Sequence, residues 1–357
     1  MWGTIKIRTQ LKRIFWLDGV KAMCMLFVYL QHAQVYTAWE GFDSMLLGRP
    51  FYINAFFFVS GYLFFGKWLF GACPPSLNVK DYMKTLRDMA FRQFIPMILF
   101  SSLIYLPKQL FHGNGLSIGK YVFDVFGGVS YWFLAAFIVT QLVLLTAIFM
   151  VRKRSIWMYV PVSVACFVLG HWLGGMRSGC APEDYFPMYY QTGLEYTVIM
   201  VLGGIYRRYE AGTERVLKRL LWLVGIVYAS ILAWSLYEGI ALKLFGICRN
   251  DNVDAVGLVC VLCGICLITA LCKWMRPVQW LSYIGRNSIV FYFFSGVWPA
   301  AFSVLARCFL SDMGYFQVLI VAVVSVLAGI ATTYLVNRYA PFLTDLRKLK
   351  RSEPEYS

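Results

Sequence analysis

Two ionisable side chains stand eleven residues apart in an apolar stretch of membrane-spanning length, WLDGVKAMCMLFVYLQHAQVY, at residues 16–36. In an α-helix this spacing amounts to three turns plus about 20°, and to about 16 Å along the axis. Lys21 and His32 therefore lie on nearly one face. A neutral imidazole can take a proton from a hydroxyl, and an ammonium group can bind an anion. Either residue alone is equally well explained by snorkelling or packing, but the pair on one face indicates function.

Other acids within apolar segments are candidates to act with this pair. Asp18 lies one turn before Lys21, more than three turns from His32, and is expected to pair with Lys21 or a nearby arginine. Glu195 stands in QTGLEYTVIMVLGG. It could orient His32, bind an acceptor hydroxyl or form a structural ion pair. His171 is expected at the membrane interface.

The composition indicates a polytopic membrane protein. Of 357 residues, 60% are hydrophobic and 14% are charged, whereas soluble domains carry about 25% charged residues. The formal net charge is +15. In a membrane protein such an excess is typical of basic cytoplasmic loops that face anionic lipid. We therefore expect the lipid bilayer as a partner and no binding to nucleic acid.

Apolar segments predict an all-α bundle of about ten spanning helices. They lie near 15–36, 50–70, 91–107, 129–151, 156–174, 188–206, 219–237, 255–272, 280–306 and 315–337. With the N-terminus in the cytoplasm, 25 of the 33 lysines and arginines fall in inner segments, 7 fall in outer segments, and Lys21 lies within the first span. This asymmetry predicts that both termini are cytoplasmic. We expect one domain over residues 1–357, with a short basic tail at 341–357.

A row of cysteines has a spacing that iron–sulfur proteins also use. Cys260, Cys263 and Cys266 form a C-x2-C-x2-C pattern, and Cys272 follows. The row lies inside the apolar stretch VGLVCVLCGICLITALC, where cysteine behaves as a small apolar residue on a helix. We therefore favour packing, and we expect no metal.

Five segments, in order along the chain, resemble the acyltransferase family 3 membrane proteins. The family opens with a basic residue, ten intervening residues and a histidine, which Lys21 and His32 match. The stretch NAFFFVSGYLFF, which contains Ser60, Gly61 and Tyr62, resembles its second-helix signature. The remaining three are RQFIPMILF with Arg92, SYWFLAAF with Trp132, and YIGRNSIVFYFF. Met89 departs from the family, which usually has a second basic residue three positions before the one matched by Arg92.

The resemblance implies an integral O-acyltransferase of the cytoplasmic (inner) membrane. Such a protein moves an acyl group, commonly acetyl, from acyl-CoA to a hydroxyl of an envelope glycan or another acceptor. His32 would serve as general base or carry the acyl group covalently. Lys21, Lys84, Arg87 and Arg92 would bind the phosphates of acetyl-CoA or another acyl-CoA.

Three uncharged positions in the resembling segments have either a donor-binding or a packing role. Ser60, followed by Gly61, suits the wall of an acyl tunnel or close helix packing. Tyr62 belongs to the same signature, and Trp132 suits stacking on a donor or a place in an aromatic belt.

A transporter or lipid-linked sugar flippase is the alternative function. It would use His32 as a proton relay near the membrane centre. The sequence shows no internal repeat of the kind that many transporters carry, and its cations gather at one predicted face. Both features favour the acyltransferase.

Overall fold

The computed structural model describes residues 14–39, 41, 43–71, 78–111, 117–152, 155–176, 187–239, 242, 254–310 and 313–347. Within these ranges every regular element is helical, as the apolar segments predict. The α-helices are α1 Phe15–Tyr36, α2 Tyr52–Trp68, α3 Val79–Met89, α4 Ile95–Phe111, α5 Ile118–Phe126, α6 Trp132–Val151, α7 Tyr159–Met176, α8 Tyr190–Glu238, α9 Ala255–Trp274, α10 Gln279–Arg286, α11 Ser288–Phe294, α12 Val297–Phe309 and α13 Tyr315–Tyr339. Short 3₁₀ turns connect several of them, and a π-helical turn, Ala90–Phe94, joins α3 to α4.

Fewer helices than ten are both long and apolar enough to cross a bilayer on their own. The described residues contain six such helical stretches, or seven if α11 and α12, which are bent by 43°, form one broken span. The first helix is 22 residues long, but its polar residues dilute its hydropathy, and α2 has only 17 residues. The number of about ten spanning helices and the cytoplasmic location of both termini remain predictions.

The longest helix, α8, has room for two of the predicted spans. Its 49 residues would extend about 74 Å, more than twice the hydrocarbon thickness of a bilayer, about 30 Å. It is broken at Tyr209, where φ is −113° and ψ is 21°. This break lies in the polar stretch between the predicted spans 188–206 and 219–237.

The first and last long helices run antiparallel, so that α1 begins where α13 ends. At one end of the bundle, the rings of Trp39 and Tyr315 lie 6.0 Å apart. At the other end, an ideal Cβ on Gly285 of α10 would lie 2.0 Å from the carbonyl oxygen of Asp18. Shortly after Gly285, the amide of Asn337 on α13 donates to Asn287 Oδ1 at 2.8 Å. We call the end that holds Asp18 the base of the bundle.

Two glycines bring the backbones of α2 and α8 into direct contact. An ideal Cβ on Gly61 would lie 1.9 Å from Met200 O, and one on Gly203 would lie 2.0 Å from Phe58 O. Only glycine fits this approach. Small residues at helix contacts are the usual means of close packing in membranes. Of the two roles suggested for the Ser60-Gly61 pair, the contact at Gly61 therefore supports helix packing.

Candidate functional site

Lys21 and His32 both lie on α1, one near the base and one towards the far end. Each is half-buried. On the same face between them lie Met25 and Val28, which are 2% and 8% exposed. The helix is regular over this stretch, so the separation of about 16 Å along the axis holds. The face that carries the pair is thus directed into the protein.

The ring of His32 stacks on Tyr36, one turn further along α1, with ring centroids 6.0 Å apart and planes inclined by 19°. The carbonyl oxygen of Tyr36 accepts a hydrogen bond from Arg307 of α12. Beside His32, the amide oxygen of Gln31 accepts a hydrogen bond from Tyr52 of α2. Polar contacts on both sides of His32 therefore fix this end of α1 against two other helices.

The resembling segments meet around the short helix α11. Tyr29 of α1 donates to Phe291 O at 3.0 Å, and Tyr131, beside Trp132, donates to Phe293 O at 2.9 Å. The ring of Phe293 also stacks on Phe100 of α4, with centroids 4.2 Å apart.

Helix α2 joins this cluster through aromatic rings. The ring of Phe133 on α6 packs against two other rings. Its centroid lies 5.4 Å from that of Phe57 on α2 and 5.3 Å from that of Tyr292 on α11. All five segments, which are far apart in sequence, are therefore connected through one aromatic core. Trp132 is half-buried at its edge, 6.1 Å from the ring of Tyr189.

The predicted donor-binding cations lie on α3 and on the π-helical turn that follows it. Lys84, Arg87 and Arg92 are all exposed. Arg92 lies inside the π-helical turn, a distortion that is frequent at functional sites and that changes the register between Arg87 and Arg92. Exposed cations this close together can bind a polyanion.

Residues beyond α13 hold Arg92 in an ion-pair network that the sequence analysis missed. Arg92 Nε lies 3.3 Å from Asp345 Oδ2. Arg347 Nη2 lies 2.6 Å from the same oxygen, and Arg347 Nη1 lies 2.8 Å from Asp88 of α3. The first part of the predicted basic tail thus docks on α3, while residues 348–357 lie outside the described ranges. No local spacing could reveal a pair that is 253 residues apart.

Tyr62 lies in a second charge network, at the base. Its hydroxyl donates to Glu210 Oε2 at 2.6 Å and accepts a hydrogen bond from Arg207. Lys273 of α9 contacts Glu210 at 2.6 Å and also contacts Glu214. Tyr62 thus links α2 to α8 and, through Glu210, to α9, whereas the neighbouring Ser60 is half-buried.

Glu195 lies against His171. The Oε1 atom of this buried glutamate is 3.9 Å from His171 Nδ1 on α7. An ideal Cβ on Gly170 would lie 2.5 Å from Gln191 O, so glycine at this position allows α7 to approach α8 closely. Glu195 therefore contacts His171. That His171 is interfacial stays a prediction.

Two cavities of the described part of the protein lie away from this pair, and neither is lined by Lys21 or His32. One, of about 440 Å³, lies at the base between α1, α8, α9 and α10. The other is a shallow groove along α7 beside His171.

The cysteine row lies along α9, and the described cysteines are free thiols. Cys260 and Cys272 are buried in the helix packing. Across the described ranges no three histidine, cysteine or acidic side chains are grouped so as to hold a metal ion.

Comparisons with known proteins agree with the convergence of the five segments. No curated protein and no solved structure matches the chain. The model of the acyltransferase 3 family, which is described as an acyltransferase domain, matches residues 14–338, nearly the whole chain. The chain therefore belongs to the acyltransferase 3 family and is a membrane acyltransferase.

Proposed function

We propose that this protein transfers an acyl group, acetyl by default, from cytoplasmic acyl-CoA to a hydroxyl of an envelope glycan or a related acceptor. The observation that carries the proposal is the arrangement of α1, in which Lys21 and His32 share an inward face about 16 Å apart. A long thioester substrate can place its anionic part near the lysine and its reacting end near the histidine.

The donor phosphates are assigned to the cations at the base. Arg92 in the π-helical turn and the exposed Lys84 and Arg87 present positive charge to the solvent. Arginine suits phosphate particularly well because its planar guanidinium can donate two parallel hydrogen bonds. Lys21 lies further in and would meet the part of the donor that enters the helix bundle.

His32 is assigned the proton transfer. Its imidazole takes the proton from the acceptor hydroxyl as the hydroxyl oxygen attacks the thioester carbonyl carbon. The carbon–sulfur bond then breaks, the CoA thiolate leaves, and the proton passes from the imidazolium to the thiolate. In the covalent variant the imidazole nitrogen attacks the carbonyl carbon and the carbon–sulfur bond breaks, so that the CoA thiolate leaves. The acceptor hydroxyl then takes the acyl group from the histidine, which frees the imidazole, and the hydroxyl proton passes to the thiolate. Glu195 stays a candidate for holding the acceptor.

Product analysis tests the proposed reaction. Purified protein in lipid nanodiscs is incubated with acetyl-CoA and a panel of glycan and lipid-linked hydroxyl acceptors, and the products are examined by mass spectrometry. We expect free CoA and acetylated acceptor in equal amounts. If acetyl-CoA and longer acyl-CoAs are left intact with every acceptor, while a labelled solute crosses a sealed membrane, the protein is a transporter.

A further inference from the structure

The cavity at the base is a wedge between α8 and the rest of the bundle. Leu217, Leu221, Tyr228 and Leu232 lie within about 60° of one another around α8, on a single face. Tyr228 and Leu232 are buried, and Tyr228 packs near Gly264 of α9. Leu217 and Leu221 are only half-buried and line the cavity. The same face of α8 is thus covered at one end and left open at the other.

Apolar side chains form most of the walls of this wedge. They come from α1, from the end of α9 and from α10, and they include Phe15, Trp274 and Leu281. Trp274 is largely exposed at the rim. The cavity volume of about 440 Å³ falls within the range of small-molecule sites, roughly 300–1,000 Å³. It can hold a headgroup and the upper part of a hydrocarbon chain.

The acids that line the wedge are already compensated. Lys273 pairs with both Glu210 and Glu214, and its ammonium also lies 4.6 Å from the ring centroid of Trp16. Arg207 Nη1 adds a further contact to Glu210 at 3.6 Å.

Two cations at the wedge have no such compensation. Lys218 of α8 and Arg276, just after α9, both line the cavity and are exposed. Within the described part of the chain, neither forms an ion pair. The wedge therefore presents net positive charge above apolar walls.

This wedge is separate from the proposed reaction path. Gly19 lines the wedge, and Lys21 lies two residues later, about 160° around α1. An ideal Cβ on Gly19 would lie 3.4 Å from Cys272 of α9, so this side of α1 is covered by α9. A molecule in the wedge therefore lies on the opposite side of α1 from the face that carries Lys21 and His32.

We propose that the wedge binds one anionic phospholipid. Its phosphate contacts Lys218 and Arg276, and its acyl chain lies along Leu217 and Leu221. Lysines and arginines at the ends of membrane helices bind anionic headgroups, and basic pockets between helices bind them specifically. The lipid supplies the packing that the open half of α8 lacks. It holds α8 against α9 and α10.

The test measures lipid binding and thermal unfolding of the purified full-length protein in detergent. Native mass spectrometry and unfolding curves are recorded with added phosphatidylglycerol or phosphatidylcholine. We expect retention of phosphatidylglycerol and a higher unfolding temperature with that lipid alone. The double variant Lys218→Gln/Arg276→Gln should bind it about tenfold more weakly or worse. The control variant Lys67→Gln/Lys80→Gln, with exposed lysines outside the wedge, should match wild type.

A second variant tests the wedge without changing charge. Leu221→Trp fills the space along the proposed acyl chain, and it should reduce phosphatidylglycerol retention while keeping the protein folded. Equal effects of the two lipids, or unchanged binding in the double variant, would overturn the proposal. Stabilisation by inorganic phosphate or CoA through the same two cations, with no effect of phospholipid, would assign the wedge to a soluble phosphate compound instead.

Discussion

Arg92 and Asp345 form an ion pair that joins the π-helical turn before α4 to the segment after α13, with Nε and Oδ2 3.3 Å apart. The acid is held from its other side by Arg347. Because Arg92 is the family-matched cation proposed for the donor, the carboxylate of Asp345 occupies a position that a donor phosphate could take. The C-terminal segment and the donor would then compete for one guanidinium.

Asp345→Asn should strengthen binding of acyl-CoA. The variant removes the competing charge, and an ion pair with one exposed partner is worth up to about 1 kcal/mol, which corresponds to a dissociation constant up to about fivefold lower. Isothermal titration with a non-hydrolysable acyl-CoA analogue measures this change. Asp254→Asn, which keeps a capping side chain at the start of α9, is the matched control and should leave affinity unaltered.

Arg92→Ala should weaken the binding of acyl-CoA. Removing a charge-assisted contact to a phosphate costs about 1.5–3 kcal/mol, so we expect the donor dissociation constant to rise by about tenfold to a hundredfold. The same titration measures it, at low and at high salt, because screening weakens exposed charges. If acyl-CoA affinity is unchanged in both Arg92→Ala and Asp345→Asn, these two residues do not belong to the donor site.

Gly61→Ala and Gly203→Ala should each destabilise the protein. A Cβ at either position would overlap a carbonyl oxygen of the facing helix, and overpacking of this kind costs about 1–3 kcal/mol. Thermal unfolding in detergent gives the comparison. Gly212→Ala is the control, since a Cβ there meets nothing within 4 Å. Similar unfolding temperatures for all three variants would show that α2 and α8 are not in direct contact.

Lys273→Met should lower the free energy of unfolding by about 1–3 kcal/mol, because Glu210 and Glu214 lose a shared, largely buried partner. The triple variant Lys273→Met/Glu210→Gln/Glu214→Gln should recover part of the loss, since no uncompensated carboxylates remain. Urea unfolding measures both. Lys80→Met on the exposed side of α3 is the control. A triple variant no more stable than Lys273→Met would contradict the charge argument.

The helical fold and the Lys21–His32 face could be predicted from sequence because both depend on local periodicity. The lengths of apolar runs predict helices, and a spacing of eleven predicts a shared face. The partners of Tyr62 and Arg92 could not be predicted this way, since Glu210 and Asp345 reach them only through helix packing. The number of membrane crossings could not be predicted from local pattern either. The polar stretch that suggests a loop between two spans is part of the continuous helix α8.

The most direct test of the proposed chemistry compares His32→Ala with Lys21→Ala in one assay of donor binding and CoA release. If His32 transfers the proton and Lys21 holds the donor, His32→Ala binds acyl-CoA with wild-type affinity and releases no CoA, whereas Lys21→Ala binds it more weakly. Undiminished CoA release by folded His32→Ala protein, with acylated acceptor formed at the wild-type rate, would contradict the account.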